Sequence, residues 1–295
     1  MKTYREIAGD GGSDILGQVA EQQVRLRARM AQITHKLAIM SGKGGVGKSV
    51  VTANLAVTLA RSGLKVGVLD ADINGPSIAK MLGVQEQSLE ISNRDVVPIH
   101  GPLDIKVISM DLLLPQDETP VVWDAPTQHD PFIWRGAIEV STLREFLADT
   151  DWGELDFLLI DLPPGPDRLP NISDLLPDLC AIVVTIPSEV AQRTVKKSVV
   201  LVQELKVPLI GLVENMAGYL CPQCGALGEL FPGDGKELAK ALDMAFLGKI
   251  PFDPQITRCF DQGVPFMIAH GETPAGRAFA QIAEKIEAFL NGRER

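Results

Sequence analysis

The 295-residue chain holds only four cysteines, too few for a disulfide scaffold at this length. Any cluster among them therefore reads as metal or redox chemistry. Basic residues are outnumbered, 28 Lys and Arg against 38 Asp and Glu, for a formal charge of −10. No basic stripe offsets that acid, which argues against a nucleic-acid partner held through its phosphates. Nowhere does an apolar run approach the roughly 20 residues that span a bilayer. The opening Met1-Lys2-Thr3-Tyr4-Arg5-Glu6 lacks the apolar core of a signal peptide. These absences lead us to expect a cytoplasmic chain with no membrane and no nucleic-acid partner. Internal repeats, low-complexity linkers and clear compositional boundaries are missing too, so a single domain is expected.

What is present is an ordinary globular composition, 45% apolar, laid out in alternating patterns. After a polar, glycine-rich start, residues 14–31 read as an amphipathic helix, with Ile15, Val19, Val24 and Leu26 among its apolar positions. Short apolar strands are expected at 36–41, 65–70, 105–109, 156–161, 180–186, 208–214 and 246–250. Helices are expected at 48–62, 136–148, 189–204, 234–243 and 274–290. The last has Thr273 as its cap, Pro274 in its first turn and Phe279, Ile282, Ile286 and Phe289 on one side. Such alternation predicts an α/β fold: a doubly wound, mostly parallel sheet covered on both faces, with its ligand at the strands' C-terminal ends. We divide the chain into an N-terminal tail and helix, 1–32, and a body, 33–295. Segments 82–103 and 114–135 carry the weakest pattern. The second holds Trp123, His129 and Trp134 among Pro and Asp residues and supplies no site residue.

Gly42-Lys43-Gly44-Gly45-Val46-Gly47-Lys48-Ser49 fits the phosphate-binding pattern G-x-x-x-x-G-K-[ST], with a buried strand before it and a helix after it. Glycines let the backbone turn its N–H groups onto phosphates, and the helix start adds partial positive charge. Lys48 should reach the β- and γ-phosphates, and the Ser49 hydroxyl should sit on Mg²⁺. Val50, next along, completes the nucleotide-binding stretch. The chain is thus a P-loop NTPase by sequence. Asp70 and Asp72 end one strand and Asp161 ends another, in Leu158-Leu159-Ile160-Asp161-Leu162-Pro163-Pro164-Gly165. Phosphoryl transfer to water needs a carboxylate that orients the nucleophile and others near the metal. We assign Asp72 the first role and place Asp161 beside the Mg²⁺ shell, with Asp70 structural or outer-sphere. Gly165 is expected to offer its N–H near the γ-phosphate. Taken alone, the Asp70/Asp72 pair could equally be a turn.

Cys221-Pro222-Gln223-Cys224 is the one close cysteine pair; Cys180 and Cys259 stand apart in apolar surroundings. Two thiolates leave either zinc or an iron–sulfur cluster half coordinated, and a symmetric dimer would supply the other two.

Lys43, directly after the first glycine, makes the loop similar to the deviant Walker A loop of the SIMIBI-class NTPases. From about residue 33 to 270 the pattern resembles the Mrp/ApbC family of iron–sulfur cluster carriers. The matching residues are the loop itself, Asp70-Ala71-Asp72-Ile73 with Gly75-Pro76-Ser77, Trp152-Gly153-Glu154-Leu155-Asp156, Asp161-Leu162-Pro163-Pro164-Gly165, Glu214-Asn215-Met216 with Cys221 and Cys224, and Ile250-Pro251-Phe252-Asp253-Pro254. The resemblance implies an ATPase that binds a 4Fe-4S cluster between the subunits of a homodimer and receives and passes it among cluster donors and apoproteins. It implies that Lys43 crosses to the partner's phosphates as a catalytic residue alongside Lys48 and Asp72, and that Asn215 and Pro251 contact the adenine. Three departures stand out: Val50 replaces a hydroxyl residue, Asn74 stands where an aromatic is common, and Pro166-Asp167-Arg168 replaces Thr-Gly-Asp. They suggest a differently tuned hydrolysis rate. Two other readings compete. A zinc-bridged dimeric targeting chaperone would need a Met- and Leu-rich groove, and a MinD- or ParA-like organiser would need a basic membrane helix or DNA-binding patch. Neither signal is present in the sequence.

Overall fold

The computed structural model describes residues 15–92, 95–113, 131–220, 223–224, 226–231 and 233–293. Its centre is β1 (Ile33–Ser41), whose side chains alternate between two apolar layers, as a two-residue repeat requires. Leu37 and Ile39 pack with Val51, Leu55 and Leu59 of α2 (Lys48–Arg61). Ala38 and Met40 face the opposite layer, with Leu143 and Leu147 of α4 (Pro131–Ala148). Helix α10 (Pro274–Arg293) adds Phe279, Ile282 and Ile286 to the first layer. To the second, α5 (Leu169–Leu175) adds Ile172, α6 (Glu189–Glu204) adds Val195 and Val199, and α1 (Ile15–Met30) adds Leu26 and Met30.

Around β1 lie β2 (Val66–Asp70), β6 (Lys106–Ile108), β7 (Leu155–Asp161), β8 (Cys180–Thr185), β9 (Leu209–Leu220) and β11 (Phe246–Phe252), each parallel to its neighbour. The short β5 (Ile99–His100) and β10 (Leu227–Gly228) pair antiparallel at β6 and β9. The order is β10-β9-β8-β1-β7-β2-β6-β5, with β11 on β9. This is the mostly parallel, doubly covered α/β sheet expected. All five residues of β2 and all six of β8 are buried, as strands covered on both faces should be. Among the described residues, no helix is long and apolar enough to cross a membrane.

The structure adds elements that the sequence pattern hides. β9 runs on to Leu220 instead of ending near 214, because Tyr219 finds partners in Gly228 of β10 and Phe252 of β11. The positive φ of Met216 and Gly218 bends this extension and obscures its periodicity. Segment 82–103 is not featureless: β3 (Glu90–Ser92) and β4 (Asp95–Val97) form a small hairpin. α4 starts at Pro131, five residues ahead of the expected 136. The remaining short helices are α3 (Ile78–Met81), α7 (Gly235–Ala241), α8 (Pro254–Asp261) and α9 (Phe266–Ala269). Trp123 and His129 lie outside the described residues.

Candidate nucleotide and cluster site

The phosphate loop leaves the C-terminal end of β1 and enters α2 through Gly47, whose left-handed φ of 80° caps the helix. That backbone favours glycine, and a Cβ there would also press on the Asn215 side-chain amide. Gly45 is also left-handed, φ 77°, but a Cβ on it would meet nothing within 4 Å. Ser41 and residues 43–50 border an open cleft of about 230 Å³, which Asp72, Ser77, Met81 and Pro164 also line. Lys43, Gly44, Gly45, Val46, Gly47, Lys48, Ser49, Val50 and Asp72 thus come together as expected residues of one cleft. Gly42 sits behind it, against the Thr194 backbone of α6.

Asp161 is the electrostatic hub. It ends β7 opposite Asp70 at the end of β2, fully buried. Lys48 Nζ stands 2.7 Å from its Oδ2, and the Ser49 hydroxyl donates to the same oxygen at 2.6 Å. The Thr52 hydroxyl donates to Oδ1, also at 2.6 Å. Three residues of one helix start therefore grip one carboxylate from another strand. Sequence reasoning missed Thr52, although it lies four residues after Lys48 and so on the same helix face.

Asp70 is equally buried, beside Asp161 on the same face of the sheet, but has a different set of partners. It accepts from the backbone N–H groups of Asp72, Ser77 and Ile78 and from the Ser109 hydroxyl, fixing both ends of the loop that carries Asp72. Burial, reinforced by the neighbouring Asp161 charge, pushes its carboxyl up to about 7. Burial also raises the half-buried Asp72, with Lys48 pulling the other way. The cleft thus gathers Lys43, Lys48, the Ser41, Ser49 and Ser77 hydroxyls and the Asp72 carboxylate, with the buried Asp161 carboxylate against Lys48 and Ser49. Its hydroxyls and carboxylates are hard oxygen donors of the kind Mg²⁺ takes, and its lysines and glycine cradle suit phosphates. The donor set fits both groups.

Gly165 differs from expectation. Its N–H donates to the Ser41 carbonyl at 3.0 Å, because the turn after β7 folds back onto the end of β1 at φ 92°. Asn215 donates its side-chain N–H to the Val46 carbonyl at 3.0 Å, which ties β9 to the phosphate loop. Pro251 follows Ile250, the residue paired with Asn215 on the adjacent strand. Cys224 is exposed just beyond β9, whereas Cys180 and Cys259 are buried in the core. Cys221 lies outside the described residues.

A family model described as ParA, NUBPL iron-transfer P-loop NTPase, matches residues 32–287. The chain belongs to this family. An iron-sulfur cluster carrier protein of Saccharolobus solfataricus is 43% identical over 280 residues, spanning 94% of this chain and 91% of the relative. A cytosolic Fe-S cluster assembly factor, the NUBP2 homolog of Dictyostelium discoideum, is 38% identical, over 88% of this chain and 96% of its own. Among solved structures, a nucleotide-binding protein of Archaeoglobus fulgidus in complex with ADP superposes with a TM-score of 0.69 at 36% identity, covering 82% of this chain and 92% of that one. As a NUBPL-type iron-transfer NTPase, the chain is a P-loop ATPase.

Proposed function

We propose that this ATPase is an iron–sulfur cluster carrier: it binds a 4Fe-4S cluster between two copies of the chain and hands it to apoproteins in the cytoplasm. The observation that carries the reading is the path of β9. Asn215 near its middle holds the phosphate loop, and Cys221 follows its last residue, Leu220, six positions later. The chain that holds the loop at Asn215 leads into the cysteine pair within six residues of sequence. Nucleotide state and cluster state thus share one element.

Cys221 and Cys224 supply two thiolates, half of what a cluster takes, and the partner's pair supplies the rest about a two-fold axis. Loop N–H groups from Gly44 to Ser49 hold the phosphates, with Lys48 against the β- and γ-oxygens. Lys43 reaches to the partner's nucleotide, and Asp72 orients the attacking water. Asn215 and Pro251 border the base. Ser49 would hold Mg²⁺ with Asp161 beside its shell, and the ion would supply positive charge for the transferred phosphoryl group. Asp161 itself keeps Lys48, Ser49 and Thr52 in register. Residues 33–295 make up the ATPase body, with 1–32 as an appended tail and helix.

Metal and sulfide analysis after anaerobic reconstitution tests the reading. About four irons and four sulfides per two chains, lost in Cys221→Ala and in Cys224→Ala but kept in Cys180→Ala, is the expected result. One zinc with no sulfide would replace the carrier by a zinc-bridged dimer.

A further inference from the structure

Asn74 and Arg168 lie in different loops yet meet at one carboxylate. Asn74 Nδ2 donates to Glu139 Oε1 at 2.8 Å, and Arg168 Nη2 pairs with Glu139 Oε2. Glu139 sits on α4 and is 4% exposed. Asn74 is two residues past Asp72, in the loop whose ends Asp70 ties down. Arg168 is three residues past Gly165, on the loop whose Pro164 borders the nucleotide cleft.

We propose that Glu139 is a positioning residue for ATP hydrolysis, joining the Asp72 loop and the 164–168 loop so that they take up their places around the phosphates together. The inference rests on the ATPase reading of the cleft. A buried carboxylate is tolerated only while its oxygens are partnered, and here each oxygen serves a different loop. Release of Arg168 takes a cationic contact from the carboxylate and slackens its hold on Asn74, and loss of Asn74 acts back on Arg168 in the same way. Asp72 would then lose its fixed distance from the phosphates, although the phosphate loop, built on β1 and α2, would not move.

The test is a cycle of Glu139→Ala, Arg168→Gln and the double variant in the full chain. Steady-state ATP turnover is measured together with amide hydrogen exchange over residues 71–78 and 162–168. Each single variant should lower kcat about tenfold with KM for ATP within about twofold, a loss typical of misplaced catalytic groups. The double variant should be no worse than Glu139→Ala. Arg168→Gln should also speed exchange in 71–78, a segment at least 90 residues away in sequence. Arg168 is partly exposed, so its substitution leaves the core intact even if Glu139→Ala folds poorly. Additive losses in kcat, or unchanged exchange in 71–78, would overturn the proposal. Absence of ATP turnover in the wild-type chain would overturn the hydrolysis reading instead, and the exchange measurement would still decide the coupling.

Discussion

Replacing Thr52 by Val removes one hydroxyl and nearly nothing else. Both side chains are branched at Cβ and of similar size, so no large cavity opens in α2. Thr52 is fully buried and donates to Asp161 Oδ1 at 2.6 Å, and Asp161 is fully buried as well. The other two grips on the carboxylate, from Lys48 and Ser49, both fall on Oδ2. The variant therefore deprives Oδ1 of its hydroxyl donor inside the sheet. Hydrogen bonds to charged groups contribute about 1.5–3 kcal/mol, and a buried acceptor left short bears its full desolvation cost. We expect Thr52→Val to lose about 2 kcal/mol, read as a lower urea midpoint at unchanged slope. Thr52→Ser keeps the hydroxyl and should recover most of that loss. A Val variant within about 0.5 kcal/mol of wild type, or a Ser variant as unstable as Val, would refute the assignment of Thr52 to the Asp161 grip.

Gly47→Ala should weaken ADP binding by calorimetry, since the methyl strains a left-handed backbone and displaces the Asn215 amide from the loop; Gly45→Ala, with open space around it, should weaken binding less. Lys48→Ala should leave a folded chain that no longer turns over ATP, and wild-type turnover in a folded variant would sink the site. Asp70 has a pH signature. Burial and the Asp161 charge push its folded carboxyl up to about 7 from 3.8, so the folded state binds more protons across that window and stability falls as pH rises through it. Melting temperature of Asp70→Asn minus that of wild type should therefore increase from about pH 5 to about pH 8, whatever its starting offset. A flat difference would mean that Asp70 titrates normally.

The sheet was legible because its central strands are short apolar runs and its helices carry clean periodicity. Leu37-Ala38-Ile39-Met40 needs no tertiary information to be read as a doubly covered strand. The phosphate loop was legible for a different reason: its spacing is dictated by phosphate geometry, so residues 42–49 announce themselves. What stayed hidden depends on contacts between distant segments. β9 beyond Glu214 exists because β10 and β11 offer partners, and no local pattern foretells them. Gly165 looked like a phosphate contact until the turn brought its N–H to Ser41. Glu139 is an unremarked acid on a helix whose meaning appears only when Asn74 and Arg168 arrive beside it. Thr52 could have been found by following the helix face one turn past Lys48.

Native mass spectrometry of the anaerobically loaded chain tests the central claim most directly. The account predicts a species of two chains carrying one 4Fe-4S unit, which falls to cluster-free chain in Cys224→Ala. A single chain that retains a whole cluster, or a dimer that holds zinc and no sulfide, would contradict it.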